Sequence, residues 1–581
     1  MELSRQKKIY SVYILLIIVS IFGYGIQKIY SFTLFPDEFG YWASAAKMAG
    51  YDWKDIVSLG SYYSFGYSLF LFPVLKLAPD SVAAYRIAVG LNMVLMCAAL
   101  PLAQGIIKNL FPERDEVQQV FIAGIAVLYP SWIFYMQMTM TEALLMFLFM
   151  LSFRLFLALV KRPSVPTAVV LAIAVVYLYC VHMRTLGVVI ACMIAVAFWV
   201  IRRGKVESKE EARKIFKVAV VFFFTLMAAL ILASLLKRYT IAEVFSQAGE
   251  GTLSTNNYGG LWRKLKGILN LQGLFHFVMG IAGKIFYLGL ASFGFFYWAV
   301  IWCIRRIKDF EAALFLMLSV ISEVLICSVY VAKESSIDSL IYGRYDEFLV
   351  PVLIVIGICM LAESRHPFRL SVIWGAVSGV LAFGLLWLVE KEQRTGIRGY
   401  MAVGISYLIN EDAFHPRYYF IAVWLFGIAT IFLVSFFIWI GSKKTNRAWL
   451  MGVVLILETA LGLYASHQYT YRYNETHFID RVVAETIQEK AQEEDKIAYL
   501  KEDASRYIDA VQMWLGSRSI NILNEDALLE EKTEPGEFLI AVRWTKHRNI
   551  LEEIYDRQIE TNTFILYYDK KQRTTGEMHD S

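Results

Sequence analysis

Long apolar runs recur along most of the chain and are its dominant pattern. A helix that crosses a bilayer needs about 20 consecutive, mostly apolar residues, and runs of this length repeat as far as about residue 466. The pattern therefore predicts an α-helical polytopic membrane protein with about 13 transmembrane helices. The predicted spans lie near residues 10–30, 82–106, 117–136, 139–160, 164–182, 185–201, 214–236, 275–303, 310–331, 347–362, 369–389, 418–440 and 448–466.

The pattern changes near residue 470, where the apolar runs become short and alternate with polar segments. KIAYL, SINIL, EFLIAVRW and TFILYY are typical of short buried strands, whereas ASRYIDAVQMWLG and HRNILEEIYDRQIE between them have helical spacing. Strands that alternate with helices indicate a small α/β domain. We therefore predict a transmembrane domain over residues 1–469 and a soluble α/β domain over residues 470–581.

The basic residues of the apolar region cluster in short loops that fall on one side of the predicted topology. They are Arg5, Lys7, Lys8, Lys161, Arg162, Arg202, Arg203, Lys205, Arg305, Arg306, Lys308, Arg365, Arg369, Lys443, Lys444 and Arg447. Positive charge concentrates in cytoplasmic loops, so the N-terminus is predicted to be cytoplasmic. An odd number of spans then places the C-terminal domain outside the cytoplasm, in a multi-pass protein of the cell membrane.

Composition agrees with this class and adds little about partners. The chain is 57% hydrophobic and 18% charged, against about 25% charged residues in an average soluble domain. The formal net charge of +5 over 581 residues is small and gives no indication of a nucleic-acid partner. Membrane lipids are the partners that the composition itself predicts.

The stretch FPDEFGYWASAAKMAG follows the first span and carries two adjacent acids, Asp37 and Glu38. Pro36 is expected either to end the preceding helix or to shape the turn out of it, and the apolar residues after Glu38 have the spacing of a short amphipathic helix in the membrane interface. Acids at the first turn of a helix complement its dipole, which is one sufficient explanation for the pair. A catalytic role in an outward-facing loop is the other.

Further polar residues stand at the predicted outer ends of later spans. Glu142 begins one span, His182 and Arg184 lie between two others, and Arg344 with Tyr345 precedes a proline-containing span. A guanidinium at the outer surface can bind a phosphate with two parallel hydrogen bonds. An acid at a helix start, a snorkelling arginine and an interfacial tyrosine are the structural alternatives.

Lys284, Glu323 and Glu458 fall inside predicted spans, where an unpaired ionisable group costs on the order of 3 kcal/mol. Each is roughly eight or nine residues from its outer end, or about 12 Å at the rise of an α-helix. The shared depth indicates either a polar cavity that opens outward or an internal ion pair of Lys284 with Glu323.

Several of these stretches resemble one family. Pro36-Asp37-Glu38 followed by Tyr41, after a single N-terminal span, resembles the first extracytoplasmic loop of GT-C glycosyltransferases. The similarity is to the branch that includes protein O-mannosyltransferases and the aminoarabinose transferase of lipid A. The other matching stretches, in the expected order, are YYSFGYSLFLFPVLKL (62–77), AYRIAVGLN (84–92), TMTEALLMFLF (139–149) and YGRYDEFLVPVL (342–353).

The resemblance implies a GT-C-like fold and an inverting transfer from a sugar on a polyprenyl phosphate. The acceptor that the resemblance implies is a lipid, a polysaccharide or a protein. A carboxylate must take the acceptor proton, and Asp37 is the expected general base. Glu38 is expected to orient the acceptor or to help Asp37 hold a divalent cation, Mg²⁺ or Mn²⁺.

The resemblance also assigns the remaining residues. Cations stabilise the charge that grows on a leaving phosphate, and the expected ones are Arg344, Lys333 and Arg184, in that order. The residues expected on the acceptor side or along the cavity are Glu142, Tyr345, Tyr41, Tyr63 and His182.

Two other classes of protein remain open at this point. A transporter or flippase of lipid-linked saccharides is the main alternative, although such proteins usually carry ionisable groups near the membrane midplane and internal repeats. No repeat is visible in the sequence, and its charges favour the outer third of the spans. A non-catalytic scaffold is the third class, and it gives no reason for Asp37 and Glu38.

Overall fold

The structure is a computed structural model that describes residues 2–205, 207–246, 261–308, 310–332, 334–410, 413–502, 508–529 and 535–571. Most of these residues are helical. The α-helices before the C-terminal sheet are Glu2–Ile26, Asp37–Ala49, Lys54–Ser58, Ser68–Leu77, Ser81–Leu110, Glu116–Val127, Pro130–Met136, Glu142–Lys161, Val165–Val181, Leu186–Gly204, Lys209–Glu243, Leu261–Ile268, Leu271–Ala291, Phe295–Arg306, Glu311–Val331, Ile337–Leu340, Val350–Glu363, Pro367–Lys391, Pro416–Gly441, Gly452–Ala465, Arg472–His477 and Arg481–Lys490.

Ten helices in the described ranges are long and apolar enough to cross a membrane, and the count is eleven if one bent pair forms a single span. The predicted helical polytopic architecture is thus confirmed, with fewer full-length spans than 13. The predicted spans 164–182 and 347–362 are helices of 17 and 14 residues, which is short of the usual crossing length. Hydropathy windows do not separate such short buried helices from complete spans.

Two other predicted spans are interrupted. The span 117–136 is a pair of helices, Glu116–Val127 and Pro130–Met136, bent by 59°. The span 275–303 ends its first helix at Ala291, and a second helix starts at Phe295. Between them Phe293 and Gly294 have positive φ angles of 52° and 83°, a conformation that stops an α-helix.

The C-terminal region contains the α/β fold that the sequence predicts. Five strands, β1 (Ile497–Lys501), β2 (Ile520–Asn524), β3 (Phe538–Val542), β4 (Tyr555–Glu560) and β5 (Phe564–Lys570), form one sheet in the order β2-β1-β3-β5-β4. β1 is parallel to β2 and β3, whereas β5 is antiparallel to β3 and β4. The helices of this region are Ile508–Leu515, Glu525–Leu529 and Arg548–Ile554.

The prediction of one helix over residues 547–560 was wrong in its second half. The helix ends at Ile554, and β4 begins at Tyr555. β4 is an edge strand whose residues after Tyr555 are mostly exposed, so its sequence carries charged residues that resemble a solvated helix.

Alternate residues of the sheet face two different cores, as the pleat of a strand requires. Ile497 and Tyr499 of β1 belong to the large core that continues into the membrane helices, whereas Ala498 and Leu500 face a small core of the sheet's own. The boundary at 469/470 stays a prediction. Helical structure continues across it, from Gly452 to Lys490.

Residues 27–80, here called the first loop, hold the C-terminal region in place by buried hydrogen bonds. The side chain of Asn474 accepts hydrogen bonds from the backbone N–H groups of Tyr30 (3.0 Å) and Ser31 (3.2 Å). Trp53 Nε1 donates to the carbonyl of Gly516 at 2.7 Å. The loop that carries Asp37 therefore has a fixed position relative to the C-terminal sheet.

Replacing Asn474 with Ala tests this attachment. The change leaves two backbone N–H groups without their acceptor, and each unsatisfied buried donor costs about 1–3 kcal/mol. We expect a lower melting temperature of the detergent-purified protein, together with faster proteolysis of the first loop. Asn562→Ala is the matched control, because its exposed side chain makes one bond to the carbonyl of Thr476. Equal melting temperatures for the two variants would contradict the attachment.

Candidate functional site

The site is built around Asp37, the first residue of the helix Asp37–Ala49. Pro36 caps this helix, and both Asp37 and Glu38 fall in its first turn. The Asp37 side chain is 22% exposed. It accepts a hydrogen bond from Tyr63 Oη at 3.0 Å and one from Arg344 Nη2 at 2.5 Å. One carboxylate oxygen thus faces a phenol and the other a guanidinium.

Gly40 makes the contact between Tyr63 and Asp37 sterically possible. A Cβ atom at position 40 would lie 1.8 Å from Cδ2 of the Tyr63 ring. The ring therefore packs directly on the backbone of the helix one turn after Asp37. The helix is also more buried than the predicted interfacial helix, since Phe39, Tyr41 and Trp42 are all enclosed by protein.

A chain of buried ion pairs leads away from Asp37. Arg344, bound to Asp37, also donates from Nε to Glu142 Oε1 at 3.0 Å. The same oxygen accepts from Arg184 Nη2 at 3.2 Å, and Arg184 Nε lies 3.7 Å from Glu323 Oε1. Glu142 and Glu323 are 0% exposed, and Arg344 and Arg184 are 2% and 5% exposed. The network therefore lies in a region of low dielectric constant, where charge interactions are strong.

Most members of this network stand at or near an interruption of a helix, whereas Glu323 lies within the helix Glu311–Val331. Glu142 is the first residue of Glu142–Lys161, and Arg184 lies in a 3₁₀ turn, Met183–Thr185, between two apolar helices. Arg344 belongs to the connection that precedes Val350–Glu363. The helix N-terminus at Glu142 offers a positive dipole end to the carboxylate. Elements far apart in sequence thus meet at one end of the helical bundle.

A cavity of about 260 Å³ opens onto this network. The predicted residues in its lining are Asp37, Tyr41, Tyr63, His182, Arg184 and Tyr345. Glu142 and Arg344 lie directly behind the lining, because both contact lining residues. The structure therefore brings eight of the predicted site residues together.

Arg184 and Tyr41 are lining residues with unused hydrogen-bonding capacity, and Arg184 is the charged one. Its Nε and Nη1 atoms are buried and have no hydrogen-bond partner among the described residues. Its guanidinium carbon lies 4.7 Å from the centre of the Tyr345 ring, and the Arg344 guanidinium carbon lies 5.9 Å from it. The Tyr345 ring thus contacts both cations, and the N–H groups of Arg184 that lack a hydrogen-bond partner suit an anion with several oxygen acceptors.

Glu38 is not in the cavity lining, although it is the neighbour of Asp37. Oε1 accepts from the backbone N–H (2.7 Å) and hydroxyl (2.6 Å) of Thr33, and Oε2 accepts from Tyr85 Oη at 2.5 Å. Oε2 also accepts from the backbone N–H (2.8 Å) and hydroxyl (2.6 Å) of Thr139. Burial raises the pKa of Glu38, and these hydrogen bonds act against that rise. Glu38 fastens the turn that presents Asp37.

The expected cation site of Asp37 with Glu38 does not fit this geometry. Both oxygens of Glu38 are engaged by five donors, and Asp37 is bound to Arg344. In the part of the chain that the structure describes, no group of three or more His, Cys, Asp or Glu side chains is arranged to hold a metal ion. The two adjacent acids point into different surroundings and do not share a ligand.

The two acids and the lysine predicted within the spans have different surroundings. Glu323 pairs with Arg184, and Lys284 donates to the carbonyl of Ser339 at 3.3 Å. The proposed pair of Lys284 with Glu323 is therefore absent among the described ion pairs. Glu458 lies elsewhere, buried with neither carboxylate oxygen hydrogen-bonded to a described residue. Lys333 lies outside the described residues.

Sequence reasoning missed Asp346, which is fully buried two residues after Arg344. Both of its carboxylate oxygens have no hydrogen-bond partner among the described residues. Burial raises the pKa of Asp346 to about 6, and the positive charges of Lys284 and Arg184 oppose the rise. The signal was present in YGRYDEF, where an acid directly follows the arginine and tyrosine.

Sequence comparisons find no matching family model and no matching curated protein. Solved structures are similar to this chain in fold. ArnT from Cupriavidus metallidurans, bound to undecaprenyl phosphate, is 13% identical with a TM-score of 0.54, and the match covers 96% of this chain and 97% of that one. Its apo form gives 13% identity, the same coverage and a TM-score of 0.50.

A weaker likeness is to the apo oligosaccharyltransferase of Archaeoglobus fulgidus. The identity is 10%, the match covers 92% of this chain and 69% of that one, and the TM-score is 0.48. Coverage of almost the whole chain by ArnT shows that the protein has the GT-C-like fold that the sequence resemblance implies.

Replacing Glu38 with Gln tests its role in holding the turn. Each carboxylate oxygen faces one backbone N–H, so an amide nitrogen on either side meets a donor that cannot reorient. We expect a loss of about 1–3 kcal/mol in stability, measured as a lower melting temperature in detergent. Glu243→Gln is the matched control, since Glu243 forms a half-exposed surface pair with Lys47. If Glu38→Gln melts like the control, the carboxylate is not the anchor of this turn.

Proposed function

We propose that the chain is an integral membrane, inverting glycosyltransferase that moves a sugar from a polyprenyl-phosphate donor to an acceptor. The observation that carries the proposal is that two residues line the same cavity: Asp37, a partly exposed carboxylate, and Arg184, which has two N–H groups without a hydrogen-bond partner among the described residues. A transfer of this kind needs both groups, a base for the acceptor proton and a cation for the leaving phosphate.

Arg184 is the principal phosphate ligand in this proposal. Arg184 lines the cavity and has two N–H groups without a hydrogen-bond partner among the described residues, one of which lies 3.7 Å from Glu323 Oε1. Arg344 is not in the lining, and two of its donors are already bound to Glu142 and Asp37. This order differs from that expected from the sequence, which put Arg344 first. The similar ArnT structure was obtained with undecaprenyl phosphate bound, and the shared fold supports a polyprenyl phosphate as the lipid part of the donor.

Asp37 is the proposed general base. The acceptor oxygen attacks the anomeric carbon from the side opposite the phosphate, and its proton passes to a carboxylate oxygen of Asp37. The new bond joins the acceptor oxygen to the anomeric carbon as the bond between that carbon and the phosphate oxygen breaks. The electron pair of the broken bond leaves with the polyprenyl phosphate, where Arg184 stabilises the charge.

Arg344 links the two events. It donates to Asp37 Oδ2, and its guanidinium group and that of Arg184 both contact the Tyr345 ring. An incoming phosphate competes with Asp37 for the Arg344 donors, which would free the Oδ2 lone pairs for the acceptor proton. Glu142, shared by both arginines, keeps the two guanidinium groups at a fixed separation.

The side of the membrane is also a proposal. The site lies at the Glu142 end of the helix Glu142–Lys161, whereas the basic residues Lys161 and Arg162 lie at its other end. Because basic loops concentrate in the cytoplasm, this arrangement supports a cytoplasmic N-terminus and an extracytoplasmic site and C-terminal region.

Asp37→Asn tests the base. Loss of a general base lowers a rate about 10²–10⁴-fold, so we expect the glycoconjugate made by the wild-type protein to disappear from cells that express the variant. Mass spectrometry of envelope lipids, polysaccharides and glycoproteins measures this loss. Purified Asp37→Asn should still bind undecaprenyl phosphate. The exposed Asp526→Asn is the control, and an unchanged glycoconjugate in the Asp37 variant would remove Asp37 as the base.

Arg184→Lys tests the phosphate ligand separately. Lysine keeps the charge but cannot reproduce the planar set of guanidinium donors. Loss of hydrogen bonds to a charged group costs about 1.5–3 kcal/mol, or roughly 10–150-fold in affinity. We expect this weakening in titrations of the purified protein with undecaprenyl phosphate. Arg417→Lys, at an exposed pair with Glu390, is the control that should bind like wild type.

A further inference from the structure

A second cavity, of about 270 Å³, lies between the first loop and the C-terminal region. Residues 30–36 of the first loop form one wall, and residues from Tyr473 to Asp480, together with Trp514, form much of the other. We call it the first-loop cavity. It is separate from the cavity at Arg184, and its volume is close to the lower end of the range for small-molecule sites, about 300 Å³.

The lining of the first-loop cavity combines aromatic rings with carboxylates. Phe32, Phe478 and Trp514 contribute rings, and Asp480 and Asp509 contribute acids. No Lys or Arg is among the described lining residues. The lining includes one described imidazole, His477, whose Nδ1 lies 2.9 Å from the carbonyl of Tyr473. A phosphate or another anion would therefore meet two carboxylates without a permanent cation, which is electrostatically unfavourable. The lining therefore fits an uncharged occupant that has both apolar and polar faces.

Two buried donors in this lining have no partner among the described residues. They are the hydroxyl of Ser31, whose residue is 4% exposed, and Nε1 of Trp514, whose residue is 7% exposed. An unsatisfied buried polar group costs about 1–3 kcal/mol. A purely apolar occupant would leave both costs in place, whereas an occupant whose oxygen acceptors reach these two donors would remove them.

The cavity walls are held by bonds that do not involve an occupant. Asp480 accepts hydrogen bonds from the hydroxyls of Thr561 (2.7 Å) and Thr563 (2.6 Å) and from the backbone N–H of Thr563 (3.0 Å). Asn474 fixes the opposite wall through the backbone of Tyr30 and Ser31. The cavity is therefore formed before anything binds, which lowers the entropic cost of binding.

We propose that the first-loop cavity binds a neutral saccharide ring. A pyranose or furanose presents an apolar C–H face, which packs on aromatic rings, and hydroxyl oxygens, which accept from Ser31 and Trp514. Its hydroxyl hydrogens can be donated to the carboxylates of the lining. A saccharide thus accounts for the aromatic rings, for the absence of Lys and Arg among the described lining residues and for the two donors without a partner.

The location of this cavity indicates which saccharide it holds, a step that rests on the proposed function. Phe35 and Pro36 line the first-loop cavity, and the next residue, Asp37, lines the other one. The Arg344 guanidinium carbon lies 4.9 Å from the centre of the Phe35 ring. Since the phosphate of the donor belongs at Arg184, the ring in the first-loop cavity is part of the acceptor, which is therefore a glycan or a glycolipid.

The binding experiment uses the full chain in detergent and methyl glycosides of glucose, galactose, mannose and arabinose as probes. Saturation-transfer NMR and calorimetric titration measure their affinity. Each hydrogen bond contributes about 0.5–1.5 kcal/mol, so Ser31→Ala and Trp514→Phe should each weaken binding of the preferred glycoside about 2–10-fold. The melting temperatures of both variants without ligand should be equal to or higher than wild type, because each removes an unsatisfied donor.

Matched controls come from other buried, unpartnered groups. Ser152→Ala and Trp374→Phe remove the same two atoms from the membrane helices and should leave glycoside binding unchanged. The proposal is overturned if no glycoside binds the wild-type protein up to its solubility limit, or if the test variants bind as the controls do. Binding of inorganic phosphate in competition with the glycoside would also overturn it.

The Asp37→Asn variant tests the saccharide site independently of the proposed catalysis, because glycoside binding and sugar transfer are measured separately. Retained glycoside binding in that variant supports a separate saccharide site, whether or not transfer is lost. If Asp37→Asn and Arg184→Lys abolish glycoside binding while Ser31→Ala does not, the ring occupies the other cavity and the assignment is wrong. If Asp37→Asn leaves transfer unchanged while Ser31→Ala weakens glycoside binding, the catalytic proposal fails and the saccharide site stands.

Discussion

Glu142 lies fully buried between two guanidinium groups, and the arrangement of the site depends on this one carboxylate. A single oxygen accepts from Arg344 and from Arg184. Removing one member of a buried ion pair typically costs about 3–5 kcal/mol, because it leaves a charge uncompensated. The pairs with Asp37 and Glu323 extend the same network at its two ends. Arg184 can keep buried N–H groups without a hydrogen-bond partner among the described residues because Glu142 and Glu323 already balance its charge.

The helix interruptions explain how such a network fits inside an apolar bundle. The described helices break at 128–129, 137–141, 182–185 and 292–294, and a fourteen-residue helix follows Arg344. Polar side chains at those breaks can approach one another at the ends of the helices, so they do not have to be placed in the apolar middle of a helix. Glu38 contributes from the opposite face of the first loop, where five donors fix the turn at Pro36. A polar site in a membrane protein is thus supported mainly by where its helices end.

Much of the architecture could be predicted, because hydropathy reports burial directly. The same signal overcounted spans, since Val165–Val181 is as apolar as a crossing helix and is only shorter. Asp37, Glu142, Arg184 and Arg344 were identifiable from their positions at span ends and from the family resemblance. The separation of Asp37 from Glu38 was not, because adjacent residues on a helix point about 100° apart and their partners come from distant segments. Asp346 was missed since its burial depends on tertiary packing.

The turn Phe35–Asp37 has a thermodynamic consequence of its own. It is a partition with one cavity on each side, and Arg344 contacts it through both the Phe35 ring and the Asp37 carboxylate. A ligand in one cavity that shifts this turn changes the free energy with which the other cavity binds its own ligand. Such linkage between two binding sites is reciprocal by necessity. The stiffness that Glu38 gives the turn then sets the size of the coupling. The order in which the two ligands bind, the cooperativity between them and the release of product would then all depend on the backbone of these three residues.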